Sequence, residues 1–452
     1  MLTRFILIAL LLMSSILTAA VGPETFMTVA GPNGAAVEWI PAAGPMDAGA
    51  LADDVRNPAG LTVHEWGTFT SVAGPFGKAI DWMPAGGPTD LPCFVAKSDS
   101  ICIKCGAAAS AAQTGGRSSA GKVRMETPVL YFYSPREETV NVRVSFPHGL
   151  MTEWYPTTAR VAPENLLEAS KNLFNATGTI QWSNVKVMPG ATESFPMETG
   201  SSHYYAARRT GSAPLEVGAQ REKFLFYRGI ASFNPPISAQ VTEDGRIAVT
   251  NLGDEEIPAV ILFENRHGKV GYRVYGSLSN FEGKKGVSTR SATLELPALT
   301  DSVESLQHEL EGILRAQGMY AQEARAMVDT WRDTWFEQGT RIFYIVPSRT
   351  VDSILPLEVS PRPVGIARAF VGRMEVITPA TQNEVRTAIV KKDRTTMETY
   401  GRFLEPILNG LFLAARITTS ERTQATTMMD AIHADYVAKV SACTRGNTAG
   451  RW

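Results

Sequence analysis

The sequence predicts an α+β protein that is β-rich in its N-terminal and central parts and helix-rich toward its C-terminus. Apolar and polar residues alternate between positions 140 and 146, which is typical of a strand with one buried face. From Asp301 onward, apolar residues recur every three or four positions, which is the period of an amphipathic helix. We therefore predict a β-sandwich-like central part followed by a helix-rich α+β unit.

The length of the chain indicates more than one unit, because 452 residues exceed what a single hydrophobic core usually serves. Changes of pattern along the chain suggest where the units divide. The predicted segments are a signal peptide at 1–20, a duplicated hairpin module at 21–121, a β-sandwich-like domain at 122–298 and a helix-rich α+β unit at 299–452.

The N-terminus has the order of features expected of a secretory signal. Arg4 supplies a positive charge, an apolar run follows from residue 5, and Thr18-Ala19-Ala20 offers small residues for cleavage. The apolar run is shorter than the roughly 20 residues that span a bilayer. We predict export to the periplasm or the outside of the cell, with no membrane-spanning segment after cleavage.

An internal repeat follows, with copies at 25–45 and 68–88. Of 21 aligned positions, 13 are identical. Each copy contains G-P-x-G, in which proline and glycine favour a turn, so each is predicted to fold as strand, turn and strand. Only the second copy is preceded by His64-Glu65-Trp66.

Many short strand patterns separated by turns support the sandwich-like interpretation. They lie at 128–133, 140–146, 179–187, 223–228, 246–250, 259–264 and 271–275, with a short helix at 164–174. The C-terminal unit is predicted to contain helices from Asp301 to Gly318, from about 324 to 335, from about 396 to 415 with a kink at Pro406, and from about 421 to 442, with strands at 342–346 and 370–377.

Composition argues against one class of partner. The formal net charge is −2, whereas nucleic-acid binding needs a basic face that neutralises phosphates. The motifs H-E-x-x-H, G-x-S-x-G, G-x-x-x-x-G-K-[ST] and G-x-G-x-x-G do not occur. We predict no nucleic-acid partner and no cofactor.

Four residues are candidates for acid–base chemistry: His64, Glu65, Glu153 and His203. Glu65 and Glu153 each lie beside a tryptophan, and two carboxylates can flank a glycosidic bond. Neighbours on a strand point to opposite faces, so His64 and Glu65 cannot share a site without a bulge. The structural alternative for His64 is a buried, hydrogen-bonded histidine.

Four further residues are candidates for ligand binding. Trp66 and Trp154 could present aromatic surfaces on strands. Arg208 and Arg209 could hold a carboxylate or a phosphate, although such pairs are often solvated strand ends.

The cysteines are Cys93, Cys102, Cys105 and Cys443. Export favours disulfides, for which three pairings are possible. A redox pair at Cys102 and Cys105, or a zinc site built from the cysteines, stays open as an alternative.

The stretch from His64 to Thr70, together with Met125-Glu126-Thr127-Pro128, resembles a group of uncharacterised exported bacterial proteins that share the string HEWGTFT. The resemblance extends over most of the mature chain and implies a shared fold and export. It implies no substrate and no catalytic residue.

These observations favour an exported binding or cell-envelope-associated protein with aromatic-lined β surfaces. Its partner would be a glycan, the cell wall or another protein. The alternatives are a secreted hydrolase of the glycan, ester or peptide class that uses Glu65 or Glu153 with a nearby histidine, and a metal-binding protein that uses the cysteine cluster.

Overall fold

The computed structural model describes the backbone of residues 28–30, 36–38, 59–84, 91–98, 120–198, 202–280, 290–332 and 334–446. Within these ranges, side chains are described from residue 59 to residue 435. The predicted signal peptide lies outside the described residues, as do Cys102 and Cys105.

The described strands are β1 (Thr28–Ala30), β2 (Ala36–Glu38), β3 (Thr62–Ala73), β4 (Ala96–Lys97), β5 (Val123–Tyr133), β6 (Glu138–Pro147), β7 (Gly149–Tyr155), β8 (Arg160–Ala162), β9 (Thr177–Val187), β10 (Leu215–Val217), β11 (Gln220–Glu222), β12 (Leu225–Ala231), β13 (Ile237–Val241), β14 (Ile247–Asn251), β15 (Val260–Arg266), β16 (Lys269–Tyr275), β17 (Ser291–Leu294), β18 (Gly339–Val346), β19 (Leu357–Ser360) and β20 (Gly365–Val376). The described α-helices are α1 (Leu166–Ser170), α2 (Val303–Ala316), α3 (Ala321–Trp331), α4 (Ser348–Ile354), α5 (Pro379–Lys391), α6 (Arg394–Glu398), α7 (Leu404–Leu413) and α8 (Thr419–Gly446).

The fold is a mixed α+β structure, as predicted. Its N-terminal and central parts are rich in strands, and its longer helices lie in the C-terminal part.

A 15-stranded sheet forms the centre of the described structure. Its main path runs β11-β10-β9-β7-β12-β5-β3-β20-β18-β15-β16, and β4, β6, β8 and β19 pair beside this path. β3 lies between β5, to which it is antiparallel, and β20, to which it is parallel. The predicted divisions at 121/122 and 298/299 therefore fall between strands of one sheet.

The two faces of this sheet are covered differently. One face shares a first core cluster with the three-stranded sheet β13-β14-β17, so that Phe69 and Phe370 belong to the same cluster as Val249. The other face shares a second core cluster with α2 and α3, which includes Trp66 and Trp331. A third cluster joins α5, α7 and α8 to the end of β3. The sheet is thus packed between a β layer and a helical layer.

The two copies of the repeat differ in structure. In the first copy, β1 pairs with β2 in antiparallel orientation. In the second copy, β3 pairs along its length with β5 and β20, and after the turn at 74–78 only a single bridge joins Ala73 to Ala79. The second copy is therefore not a separate hairpin, because its first strand is the centre of the large sheet.

The predicted helix at 396–415 is broken into shorter pieces. α6 ends at Glu398, a 3₁₀ turn covers Gly401–Phe403, and α7 begins at Leu404. Gly401 has a φ of +48°, which ends the preceding helix. Pro406 lies in the first turn of α7, where the missing N–H is tolerated, and so it does not kink a continuous helix.

Candidate functional site

His64 is held inside the protein by a carboxylate from the helical layer. Its Nδ1 lies 2.8 Å from Oε2 of Glu323, near the start of α3. Glu323 also accepts hydrogen bonds from the Tyr133 hydroxyl at 2.7 Å and from the backbone N–H of Tyr320 at 2.8 Å. The exposed fraction of His64 is 4%. This group fastens α3 to the central strand.

Glu65 points to the opposite face and has its own partners. Its Oε1 accepts a hydrogen bond from the Tyr227 hydroxyl, and its Oε2 accepts one from Nε of Arg368 at 2.7 Å. Nη1 of Arg368 also donates to Oδ1 of the exposed Asp352 carboxylate at 2.8 Å. Burial and the charge of Glu65 both raise the pKa of Tyr227, so its hydroxyl stays a donor. Glu65 is thus part of a buried ion pair that ends at the surface.

The two candidate carboxylates, Glu65 and Glu153, do not face one another. Glu65 is bonded to Tyr227, whereas Glu153 lies directly opposite Arg228 in the β7–β12 pairing. Tyr227 and Arg228 are neighbours on β12 and therefore point to opposite faces. The predicted acid pair is not assembled, because the sheet separates its two members.

The tryptophans do not form an exposed aromatic surface, which corrects the prediction made from the sequence. Trp66 has an exposed fraction of 0% and belongs to the second core cluster. Trp154 is half-buried and packs against the first core cluster. Both indoles lie on inner strands of the sheet. Burying their apolar rings there stabilises the fold more than exposing them would.

Residues of the 3₁₀ helix His203–Arg208 form a second buried ion pair. Arg208 donates to Glu222 through Nε at 2.9 Å and through Nη2 at 2.6 Å. Burial is the main cause that raises the pKa of Glu222, against the opposing effect of Arg208. Arg209, by contrast, is largely exposed and pairs with Asp329 at 3.0 Å. His203 begins this 3₁₀ helix.

The cysteines are only partly described. Cys93 lies in the described segment 91–98, where its backbone N–H donates to Glu198 at 3.0 Å. Cys102, Cys105 and the side chain of Cys443 lie outside the described residues. The pairing of the cysteines, and a metal site built from them, stay predictions. In the described part of the chain, no three His, Cys, Asp or Glu side chains are grouped so that they could hold a metal ion.

A surface cleft of about 860 Å³ lies where five chain segments meet. It is bounded by the turn after β3, the β6–β7 turn, the loop before β13, the loop after β14, and α4. We call it the five-segment cleft. Its lining includes Lys78, His148, Phe233, Asn234, Leu252, Asp254, Arg349 and Ile354.

Three charged side chains of the five-segment cleft are available to a ligand. Lys78 and Arg349 are exposed, and neither has an ion-pair partner among the described residues. The carboxylate of Asp254 likewise has no partner in the described ranges. Glu255 is different, since it accepts hydrogen bonds from the backbone N–H and hydroxyl of Thr350 and thereby holds the start of α4.

His148 of the five-segment cleft combines an uncommon backbone conformation with a hydrogen-bonded ring nitrogen. Its φ is +59°, a left-handed conformation that is uncommon for residues other than glycine. Its Nδ1 contacts the carbonyl oxygen of Phe174, which can only accept, so Nδ1 carries the proton. Nε2 has no partner among the described residues, and in the neutral imidazole it is the nitrogen that accepts.

None of these cleft residues was predicted from the sequence as a site residue. Pro147-His148-Gly149 follows a clear strand pattern and could have been recognised as a turn with a polar residue at its tip. Lys78 and Arg349 gave no such signal, because their neighbours in the cleft come from distant parts of the sequence.

Comparisons with known proteins add little to this description. No family model matches the chain, and no curated protein matches it. Among solved structures, the yeast delta-COP-I mu-homology domain is matched with 7% identity and a TM-score of 0.25, over 70% of this chain and 98% of that one. The same domain complexed with the Dsl1 WxWxV peptide is matched with equal identity and TM-score, over 96% of its length. At this TM-score neither fold nor function is transferred. In the described part of the chain, no helix is both long enough and apolar enough to cross a bilayer.

Proposed function

We propose that this protein is an exported binding protein whose ligand occupies the five-segment cleft. The observation that carries the proposal is a cleft of about 860 Å³ in which Lys78 and Arg349 have no anionic partner among the described residues. That volume lies within the range of ordinary ligand sites. Export is supported by Arg4, the apolar run after it and the small residues at 18–20.

The lining favours a ligand that joins anionic groups to an apolar or ring-shaped face. Lys78 and Arg349 provide positive charge, and Phe233, Leu252 and Ile354 provide apolar surface. Asp254 and Nε2 of His148 can accept hydrogen bonds from hydroxyl groups. An acidic oligosaccharide of the cell envelope or its surroundings combines these properties. This is the glycan partner among those considered from the sequence.

The test is a titration of the mature protein with hexagalacturonate, using maltohexaose as the neutral probe. We expect hexagalacturonate to bind and maltohexaose to bind at least tenfold more weakly, since only the first carries carboxylates. Affinity for hexagalacturonate should fall with added salt, because exposed charges are screened.

A double variant identifies the site. Lys78→Ala with Arg349→Ala should weaken hexagalacturonate binding about five- to tenfold, because each exposed charge pair contributes up to about 1 kcal/mol. Lys391→Ala with Lys392→Ala removes two exposed lysines at the end of α5 and should leave the affinity unchanged. Equal weakening by both double variants, or no binding of either sugar, would contradict the proposal.

A further inference from the structure

A group of buried polar side chains lies on three adjacent strands of the central sheet, away from the five-segment cleft. Thr68 and Thr70 point from β3 to the helical side. Glu126 on β5 is the register neighbour of Thr68, and Arg373 on β20 is the register neighbour of Thr70. Register neighbours on one face lie about 5 Å apart at Cβ. We call these four residues the junction patch.

The junction patch lies between two apolar clusters. On the same face of β3, Trp66 precedes it and belongs to the second core cluster, whereas Val72 follows it and belongs to the third. None of the four side chains reaches solvent appreciably, since their exposed fractions are 1% or less. The junction patch is therefore a set of buried polar side chains between the second and third core clusters.

Part of the patch is held by Arg124 on β5, whose Nε lies 3.3 Å from Oε1 of Glu126, and by groups from the covering segments. Nη2 of Arg373 donates to Glu337 at 2.7 Å, and its guanidinium lies 4.8 Å from the centre of the Phe403 ring. Arg402 contacts Oε1 of Glu126. These contacts fix the orientation of the charged side chains but use only some of their polar atoms.

Five polar atoms of the junction patch lack a partner among the described residues. They are Oγ1 of Thr68, Oγ1 of Thr70, Oε2 of Glu126, and Nε and Nη1 of Arg373. Buried polar atoms are nearly always hydrogen-bonded in native proteins, and leaving several unpaired in one place is costly. The patch therefore offers both donors and acceptors to an additional group.

Two further buried donors belong to the second core cluster on the same side of the sheet. The indole N–H groups of Trp331 and Trp335 are also buried without a partner in the described part of the chain. Trp335 packs on Phe343, which is the register neighbour of Arg373 on β18. A group that pairs with these atoms must have several hydrogen-bond acceptors. It must also have one donor, which pairs with Oε2 of Glu126.

We infer that the junction patch is a binding site for a small oxyanion that carries a hydroxyl group, of the hydrogen phosphate type. One of the two free guanidinium nitrogens of Arg373, Nε or Nη1, donates to its oxygens, and the positive charge of the side chain favours an anion. The two threonine hydroxyls complete the donor set, and the hydroxyl of the anion donates to Oε2 of Glu126. Sulfate has no hydroxyl at neutral pH, so its oxygen would face the Glu126 carboxylate unfavourably.

The experiment is a calorimetric titration of the full-length mature protein, dialysed free of phosphate, with sodium phosphate and with sodium sulfate at one ionic strength. We expect phosphate to bind at least tenfold more tightly than sulfate. The same titration of the Lys78→Ala, Arg349→Ala double variant removes any contribution of the five-segment cleft, and the preference for phosphate over sulfate should persist in it.

Two variants test the assigned contacts. Thr70→Val keeps the shape of the side chain but removes a hydroxyl, and it should weaken phosphate binding several-fold. Ser71→Ala is its matched control, since Ser71 is also buried but faces the first core cluster beside Met374, and it should have no effect. Glu126→Gln replaces an acceptor by a group that can donate, and it should reduce the preference for phosphate over sulfate.

Circular dichroism of each variant establishes that it is folded. If Glu126→Gln does not fold, the comparison of Thr70→Val with Ser71→Ala decides. The inference is overturned if neither anion binds, if both bind equally, if Thr70→Val and Ser71→Ala weaken phosphate binding alike, or if a crystal grown in phosphate holds only water against Arg373.

Discussion

Carboxylates inside this protein differ in how many hydrogen-bond and ion-pair partners they have. Glu323 accepts hydrogen bonds from three groups, and Glu65 is paired with Arg368. Glu405 in α7 is less well provided for: Oε1 accepts from Asn409, while Oε2 has no hydrogen-bond partner among the described residues. Burial is the main cause that raises the pKa of the Glu405 carboxyl above its ordinary value of 4.5.

The raised pKa of Glu405 predicts a pH-dependent contribution to stability. Between pH 4.5 and the raised pKa, the folded protein binds more protons at this position than the unfolded chain, so this contribution falls as pH rises. Glu405→Gln imitates the protonated carboxyl at every pH. Urea unfolding should show that the variant gains stability relative to the native protein between pH 4.5 and pH 7.5.

The control for this measurement is Glu309→Gln on the exposed face of α2. Its stability difference from the native protein should stay constant over the same range. A difference for Glu405→Gln that is flat, or that reverses in sign, would refute the assignment.

At the residue scale, the sequence predicts the face of the sheet to which a side chain points, but not the residues that it contacts. The period of a strand predicts that His64 and Glu65 point to opposite faces, and their separate partners agree with this. Glu323 lies 259 positions from His64, and no local pattern indicates that it caps α3 and contacts that histidine. Partners so distant are fixed by tertiary packing.

Strand β20 shows how closely elements are packed at the centre of the sheet. The ring of Tyr344 on β18 lies across Gly372, so that a Cβ added there would stand 2.0 Å from Cζ of the ring. Gly365 on the same strand is different, since an added Cβ would meet only Cγ2 of Thr62 at 3.8 Å. A side chain at position 372 would therefore clash with the Tyr344 ring, whereas position 365 has space for one.

Gly372→Ala should destabilise the protein by about 1–3 kcal/mol or more, because the ring of Tyr344 would have to leave a well-packed position. Gly365→Ala is the matched control and should change the free energy of unfolding by less than about 1 kcal/mol, since it adds only ordinary contact. Denaturant unfolding of both variants measures the difference. Equal effects would show that β18 and β20 do not pack as described.

At the element scale, the sequence predicted many elements but not their pairing. The strand near 140–146 and the helix from Asp301 follow from hydrophobic period, and the strand near 342–346 follows from a continuous apolar run. The parallel pairing of β3 with β20 does not, because about 300 residues separate them and both are buried strands without a distinguishing pattern. The broken helix around Gly401 was missed because apolar spacing continues across the break.

The whole molecule explains why the proposed ligand site could not be predicted. The five-segment cleft draws residues from positions 78 to 354, and each segment is an ordinary turn, loop or short helix by itself. His64, Glu65 and Trp66 drew attention as a dense polar and aromatic group, yet they stabilise the centre of the sheet. A run of consecutive polar and aromatic residues in the sequence thus did not predict which surface a ligand can reach.

The central claim is that β3 is scaffold and that the five-segment cleft binds the ligand. Hydrogen–deuterium exchange with and without hexagalacturonate tests both parts in one measurement. We predict that amides of 62–73 stay strongly protected in both states, while segments 233–237, 252–255 and 349–354 gain protection when the sugar is present. Weak protection of β3 in the free protein, or ligand-dependent protection at β3 with none in the cleft segments, would contradict the account.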